Sequence, residues 1–547
     1  MPDLHPLVSR ILETRGIDAG TFLNPSYDGR HSPFLLKDMD VAVERILKAI
    51  RNKEHIAVWH DYDCDGVPGG ALLSDFFRAV RYPVRMYVPE RAEGYGLNEG
   101  GIRLLHDEGV SLLISVDCGI TDVEEVALAH ELGIDCIVTD HHLPQEKLPP
   151  AIAVINSHRA DDTYPFKELC GTGVAFKLVE ALIERGDFEL PAGWEKWLLD
   201  LVALATVADM VPLTGENRTF VRWGLEVLHK GRRPGLKALF EQDRVPIETA
   251  TEDDVAFTIA PKINAASRMA SPRLAFELLT TAFQERARTL AVELSKLNKE
   301  RKIEGMRVAK EVKHRLEAMP FLGEVIVLGS TAWRPSLLGI AATNVVETYR
   351  KPVFLWGKEG DLIKGSCRSN GSVNMVSLMT EARHAFSDFG GHEFSGGFSL
   401  SEEQVHTLPT ALQEACAVIP SQAYAPIVRE SEGMLTIAEA SHAAYEELRM
   451  LAPFGRGNPK PIFRMHAVHV KKSFRFGAHK EHARMTLSDE AGRTLDAIAF
   501  FVSRTPFRDT IGLVSSGDSI SLEGSLERSH FGGKTELRLR IENLVVR

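Results

Sequence analysis

Three aspartates, Asp61, Asp63 and Asp65, stand at alternate positions between His60 and Gly66. They directly follow the apolar run Ile56-Ala57-Val58-Trp59, which reads as a buried strand. On an extended backbone that alternation points all three carboxylates to one side. Clustered carboxylates repel one another unless a cation joins them. Oxygen ligation of a hard divalent metal is the chemistry such a cluster suits. The plain alternative is a polar loop whose Asp caps the next helix; one Asp fits that reading, and three in five residues fit it poorly.

More candidate ligands stand at matching places further on. Asp117 follows the run 112–116, and Asp140, His141 and His142 follow the run 136–139. The strands that must position them are expected at 55–60, 84–88, 111–116, 134–139 and 151–156. Helices are expected between them at 70–79, 101–108 and 122–131. Apolar strands alternating with helices imply a parallel sheet covered on both faces. In such a sheet the carboxyl ends of the strands share one edge, where ligands bind. Asp209, at the end of the apolar helical stretch 197–208, is a further candidate, with plain helix termination as its alternative.

The rest of the chain bounds the architecture. A length of 547 residues implies about three or four domains. No run of about 18 apolar residues predicts a membrane span, and the N-terminus lacks a secretory pattern. Six scattered cysteines without CxxC pairs argue against a zinc ribbon or a disulfide framework and point to a reducing cytoplasm. The net charge of −11 is uneven: residues 463–547 carry +4 and the remainder −15. That permits a local polyanion-binding patch and excludes a generally basic nucleic-acid binder. A charged stretch at 281–317 with interleaved Leu, Ile, Met and Val predicts one long helix between domains. A second α/β unit follows, with strands at 324–328, 352–356 and 362–366 and a helix at 335–349. It contains Gly365-Ser366-Cys367-Arg368 and a glycine-rich stretch, 390–397, read as a loop. Five alternating strands in the last 85 or so residues predict a small barrel of the oligonucleotide-binding (OB) type. Phe474, Phe476, Phe500, Phe501, Phe507 and Phe531 lie among Lys and Arg there, as a single-strand stacking platform requires, although most of them are expected in the core. No Walker A loop is present, and Gly171-Thr172-Gly173 continues to Phe176, so the dinucleotide fingerprint fails.

The ordered set Asp61-Tyr62-Asp63-Cys64-Asp65-Gly66, Asp117-Cys118-Gly119, Asp140-His141-His142 and Asp209 resembles the DHH phosphoesterase superfamily. Gly390-Gly391-His392 resembles the glycine-rich motif of its associated second domain (DHHA1-like). Four further stretches (36–40, 94–97, 264–268 and 453–459) extend the resemblance to the superfamily's single-strand-specific 5′→3′ DNA exonucleases. The departures, His60, Cys64 and Ser267, remove no ligand. The resemblance implies an α/β fold. Residues 1–280 form a helical segment and parallel-sheet catalytic domain, 281–318 a connecting helix, 319–425 a DHHA1-like substrate-binding domain and 430–547 an OB-type barrel. It also implies two Mn²⁺ ions, with Mg²⁺ as the alternative. Asp61 and Asp63 would serve one metal, Asp65, His141 and Asp209 the other, and Asp117 both, with His142 on the scissile phosphate or the attacking water. Arg268 and His392 would hold the strand, Tyr95 would stack on a base, and Arg91, Ser366 and Arg368 would receive a 5′-phosphate. Single-stranded DNA is the implied substrate, in DNA repair and recombination, with a single-strand-binding protein and a helicase as implied partners. The other readings are a small-substrate phosphodiesterase, which has no use for the barrel, and an inactive DNA-binding scaffold, which has no use for the ligands.

Overall fold

The computed structural model describes residues 4–419, 430–477, 480–531 and 534–546. The chain divides into two compact units: Asp18–Lys299 with Arg449–Lys460, and Met1–Ile17 with Glu300–Leu448 and Pro461–Arg547. The division falls inside a helix of 34 residues, Gln284–Glu317. Among the described residues no helix is long and apolar enough to cross a membrane.

The first unit is built on a parallel sheet of β1 (Ile56–His60), β2 (Val84–Tyr87), β3 (Leu112–Val116), β4 (Asp135–Thr139) and β5 (Ala153–Ile155). The strand order is β2-β1-β3-β4-β5. Every residue of β1 and β3 is buried, which explains why they read as unbroken apolar runs. One core contains Val58, Phe76, Phe77, Ile114 and Phe176. Another, containing Trp59, Ile102, Leu113 and Val138, lies on the opposite face.

Register does the positioning. His60 pairs with Val116, and Val116 with Thr139. The next residues, Asp61, Asp117 and Asp140, therefore leave the sheet at one edge. The ladder extends one step further: Asp61 N donates to Val116 O (3.2 Å), Asp117 N to Thr139 O (2.9 Å) and Asp140 N to Ile155 O (3.1 Å).

The second unit contains a mixed sheet of β6 (Ile326–Ser330), β7 (Val353–Glu359), β8 (Leu362–Arg368), β9 (Asp388–His392) and β10 (Ser395–Leu400). Its order is β6-β7-β8-β10-β9, with only β6 and β7 parallel. The glycine-rich stretch expected as a loop is the β9–β10 hairpin instead. Glycine suits these strands because side chains cross it: a Cβ at Gly396 would lie 2.7 Å from the Met379 methyl. A closed barrel follows, formed by β11 (Phe463–Phe476), β12 (His482–Ser488), β13 (Thr494–Ala499), β14 (Ser519–Phe531) and β15 (Lys534–Val546) in the order β11-β12-β13-β15-β14.

Phe507 is core. Phe474 and Phe501 are more than two-fifths exposed, with the Lys472 ammonium 5.2 Å from the Phe474 ring. Arg538 and Arg540 lie 5.4 and 5.8 Å from the ring of Phe500. The side chain of Phe531 lies outside the described residues.

Candidate metal centre

The stretch after β1 is bent, not extended. Asp63 Oδ1 accepts from Asp65 N (2.7 Å) and Gly66 N (3.2 Å), which turns the chain into the helix Gly66–Ala79. Gly66 is required there, because a Cβ would meet the Asp61 backbone at 2.6 Å. The turn corrects the expectation that all three carboxylates share one side. Asp61 and Asp63 gather with Asp117, whereas Asp65 gathers with His141 and Asp209. Within each group the ligand atoms lie within 4.8 Å of one another. His141 Nε2 lies 3.2 Å from Asp117 Oδ1, 3.6 Å from Asp65 Oδ2 and 3.8 Å from Asp209 Oδ2. Two ligand atoms each about 2.1 Å from one ion, at right angles, stand about 3 Å apart.

Supporting contacts fix each side chain. Asp65 Oδ2 and Oδ1 accept from Gly171 N and Thr172 N, both at 2.7 Å, at the start of the helix Gly171–Arg185. Asn264 Oδ1 accepts from Cys64 N (2.9 Å). Asp140 points away from the ligands: its Oδ1 accepts from His142 Nδ1 (2.7 Å), and its Oδ2 from Ile120 N (3.0 Å). It thus orients His142 and leaves the imidazole Nε2 available. Asn156, fully buried, donates to His142 O at 2.8 Å.

The electrostatics call for cations. Burial and Asp63 push Asp61 well above the usual carboxylate range, and burial with Asp65, Asp63 and Asp61 does the same to Asp117. Burial, then Asp65 and Asp63, push Asp209 up to about 8. Burial lowers His141. Burial alone would raise Asp140, but its bond to His142 and that ring's charge hold it below the usual range; the same bond overcomes burial to lift His142 to about 9. Asp61 Oδ1 and Asp117 Oδ1 are buried without a hydrogen-bond partner. Orphaned acceptors, repelling carboxylates and a neutral imidazole are the donor set of a hard or borderline divalent ion.

The structure also locates the expected strand-binding residues. Arg91 lies 4.6 Å from the Tyr62 ring, and its charge acts on Asp61; Arg268, on the helix Ala260–Met269, acts on the Tyr62 phenol. The Tyr95 hydroxyl donates to Asp117 O (3.0 Å) and lies 3.1 Å from His142 Nδ1, so its hydroxyl end is held against the candidate ligands. In the second unit, Ser366 and Arg368 occupy one face of β8. Both reach over Gly339 in the first turns of the helix Pro335–Tyr349, where a Cβ would be 2.7 Å from Arg368 Nη2 and 3.8 Å from Ser366 Oγ. His392 is exposed at the end of β9. Sequence reasoning missed Asn156, Asn264 as a donor-holder and the Gly171-Thr172 amides. The last carry no side-chain signal at all.

Residues 55–206 match the DHH family, N-terminal domain; residues 322–419 match the DHHA1 domain. That fold with that carboxylate and imidazole edge defines the DHH class. Residues 431–543 match the RecJ OB domain. The single-stranded-DNA-specific exonuclease RecJ of Bacillus subtilis is 35% identical, over 99% of this chain and 68% of the relative. That of Escherichia coli is 31% identical, over 99% and 96%. A crystal structure of Thermus thermophilus RecJ in complex with Mn²⁺ superposes with a TM-score of 0.81 at 28% identity, covering 99% of this chain and 76% of that one. The chain belongs to the RecJ family of single-stranded-DNA-specific exonucleases.

Proposed function

We propose that this protein degrades single-stranded DNA from its 5′ end by metal-dependent phosphodiester hydrolysis, in DNA repair and recombination. The observation that carries the reading is the pair of ligand groups: Asp61, Asp63 and Asp117 beside Asp65, His141 and Asp209, with His141 Nε2 3.2 Å from Asp117. Two divalent ions there would neutralise charge on the scissile phosphate and acidify a water. Mn²⁺ suits the mixed oxygen and nitrogen donors, and Mg²⁺ is the alternative; both ions accompany RecJ in solved structures.

The protein's own groups do the rest. Asp117 would serve both ions, and its backbone carbonyl accepts from the Tyr95 hydroxyl. His142, oriented by Asp140, presents Nε2 to the phosphate or to the attacking water. Arg268 and His392 bind strand phosphates, Arg91 receives the 5′-phosphate, and so do Ser366 and Arg368, which stand at the start of the helix Pro335–Tyr349. The division of labour follows the sequence: 1–280 for chemistry, 281–318 as connector, 319–425 for substrate and 430–547 for the strand. The cytoplasm is the compartment, and a single-strand-binding protein and a helicase are the partner classes.

End-labelled single strands, duplexes and a dinucleotide, incubated with Mn²⁺ or with chelator, test the proposal. The expected result is loss of label from the 5′ end of single strands only, stopped by chelator. Release from the 3′ end, or cleavage confined to the dinucleotide, would overturn it.

A further inference from the structure

The segment Arg449–Lys460 belongs to the catalytic unit, although the chain on both sides of it belongs to the other. Its anchors are specific. Arg218 Nη1 donates to Leu451 O (3.0 Å), Glu252 Oε1 accepts from Phe454 N (3.0 Å), and Lys460 pairs with Asp253. At its centre Gly455 N donates to Asn458 O (2.8 Å) and Asn458 N to Gly455 O (3.2 Å), closing a tight turn with Arg456 and Gly457 at the tip. Gly457 has φ 76°, which the turn requires and a side chain would resist. Asn458 is 2% exposed and braces the stem by donating to Leu451 O (2.9 Å) and Pro453 O (2.7 Å).

The turn lies on the loop that follows Asp209. Leu213 N donates to Arg456 O at 2.7 Å. A Cβ on Gly457 would stand 3.0 Å from Thr214 and 3.2 Å from Pro212. The backbone of Arg456 is thus fixed and its side chain is exposed. Among the described residues the guanidinium forms no hydrogen bond or ion pair; its charge is felt at Asp209, beside that of His142. On the other flank Arg91 acts on Asp61 in the same way. Once Asp209 holds a divalent ion its charge is engaged, and the exposed guanidinium remains available to another anion. A phosphodiester is the anion this reaction brings, and a guanidinium can take two of its oxygens at once.

We propose that Arg456 binds a backbone phosphate of the DNA strand beside the scissile one, on the Asp209 flank of the metal centre. The proposal rests on the exonuclease reading above and adds a strand contact delivered from nearly 250 residues beyond Asp209.

The test uses the full chain with Arg456→Gln and Arg456→Lys, on end-labelled single strands at saturating Mn²⁺ over a range of salt. For Arg456→Gln, KM should rise about tenfold while kcat changes by less than about twofold. The slope of log(1/KM) against log salt should fall in magnitude by about 0.7, one phosphate contact on a single strand. Arg456→Lys should recover most of the loss. Both variants should melt with wild type, because the turn is docked through the backbone. Unchanged KM and salt slope in an active enzyme would overturn the proposal. So would a raised Mn²⁺ requirement with KM unaffected at saturation, since Arg456 would then serve Asp209 and not the strand. A wild type inactive on single strands would overturn the underlying reading instead.

Discussion

In the proposed function Asp117 is the carboxylate shared by both ligand groups, and its backbone sets how it can be replaced. It sits at φ 62°, where Asp and Asn are tolerated and Ala costs roughly 1–2 kcal/mol. Both Asp117→Ala and Asp117→Asn should lower hydrolysis more than about a thousandfold, about 4 kcal/mol of barrier. Only the Asn variant should melt with or above wild type, since it removes carboxylate repulsion without adding strain. A residual rate within about tenfold of wild type at saturating Mn²⁺ would exclude a shared ligand. Asp122 offers a pH test away from the ligands. Its Oδ2 accepts from Leu97 N (2.7 Å), holding the 94–97 loop that carries Tyr95. Burial pushes this carboxyl from 3.8 up to about 6. A raised acid favours the fold fully below the unfolded value, and that contribution is lost as pH rises through about 6. Asp122→Asn cannot ionise, so its melting temperature relative to wild type should climb between pH 4 and 7. A constant difference across that window would refute the assignment.

The helix Gly171–Arg185 shows what an element contributes that its residue types do not announce. Its first two amides hold both oxygens of Asp65, and Gly171 lies so close to Asp117 that a Cβ would be 2.5 Å from Oδ1. Gly171→Ala should therefore displace Asp117, cutting activity at least about tenfold and raising the Mn²⁺ requirement, as lost supporting contacts do. Activation by Mn²⁺ at the wild-type midpoint would show that the helix can shift to absorb the methyl. The same contrast explains what was legible beforehand. Asp61, Asp117 and the Asp140-His141-His142 run were readable because apolar strands end just before them, and parallel register aligns such ends. The separation of Asp65 from Asp61 and Asp63 was not, because an Asp side chain taking two backbone amides turns a strand exit into a helix. Nor was the β9–β10 hairpin: glycine reads as a loop former, whereas here β10 pairs with both β9 and β8 and the Met379 methyl packs over Gly396. Backbone donors have no side-chain signature, and the stretch 453–459 was legible as part of the resemblance but not as a neighbour of the loop after Asp209.

The proposed function gives chemistry to the catalytic unit and long-strand binding to the barrel, and the position of the cut decides whether an experiment can see that division. A chain ending at Lys460 keeps the Arg456 turn; one ending near residue 430 loses it together with the anchors to Arg218 and Glu252. The longer product should retain hydrolysis of short strands, bind long strands at least about tenfold more weakly and show a flatter salt dependence, because Lys, Arg and exposed Phe of the barrel are gone. Undiminished affinity for a long strand would assign strand binding elsewhere. The inserted segment also carries a consequence for synthesis. Residues 18–299 leave the ribosome without the piece that covers Leu213, Arg218 and Glu252. Lys460 is made 161 residues after Lys299, roughly 8–32 s later at about 5–20 residues per second. Until then the nascent chain holds its candidate metal ligands beside an unfilled flank, and the catalytic unit is completed only after the whole mixed sheet has been made.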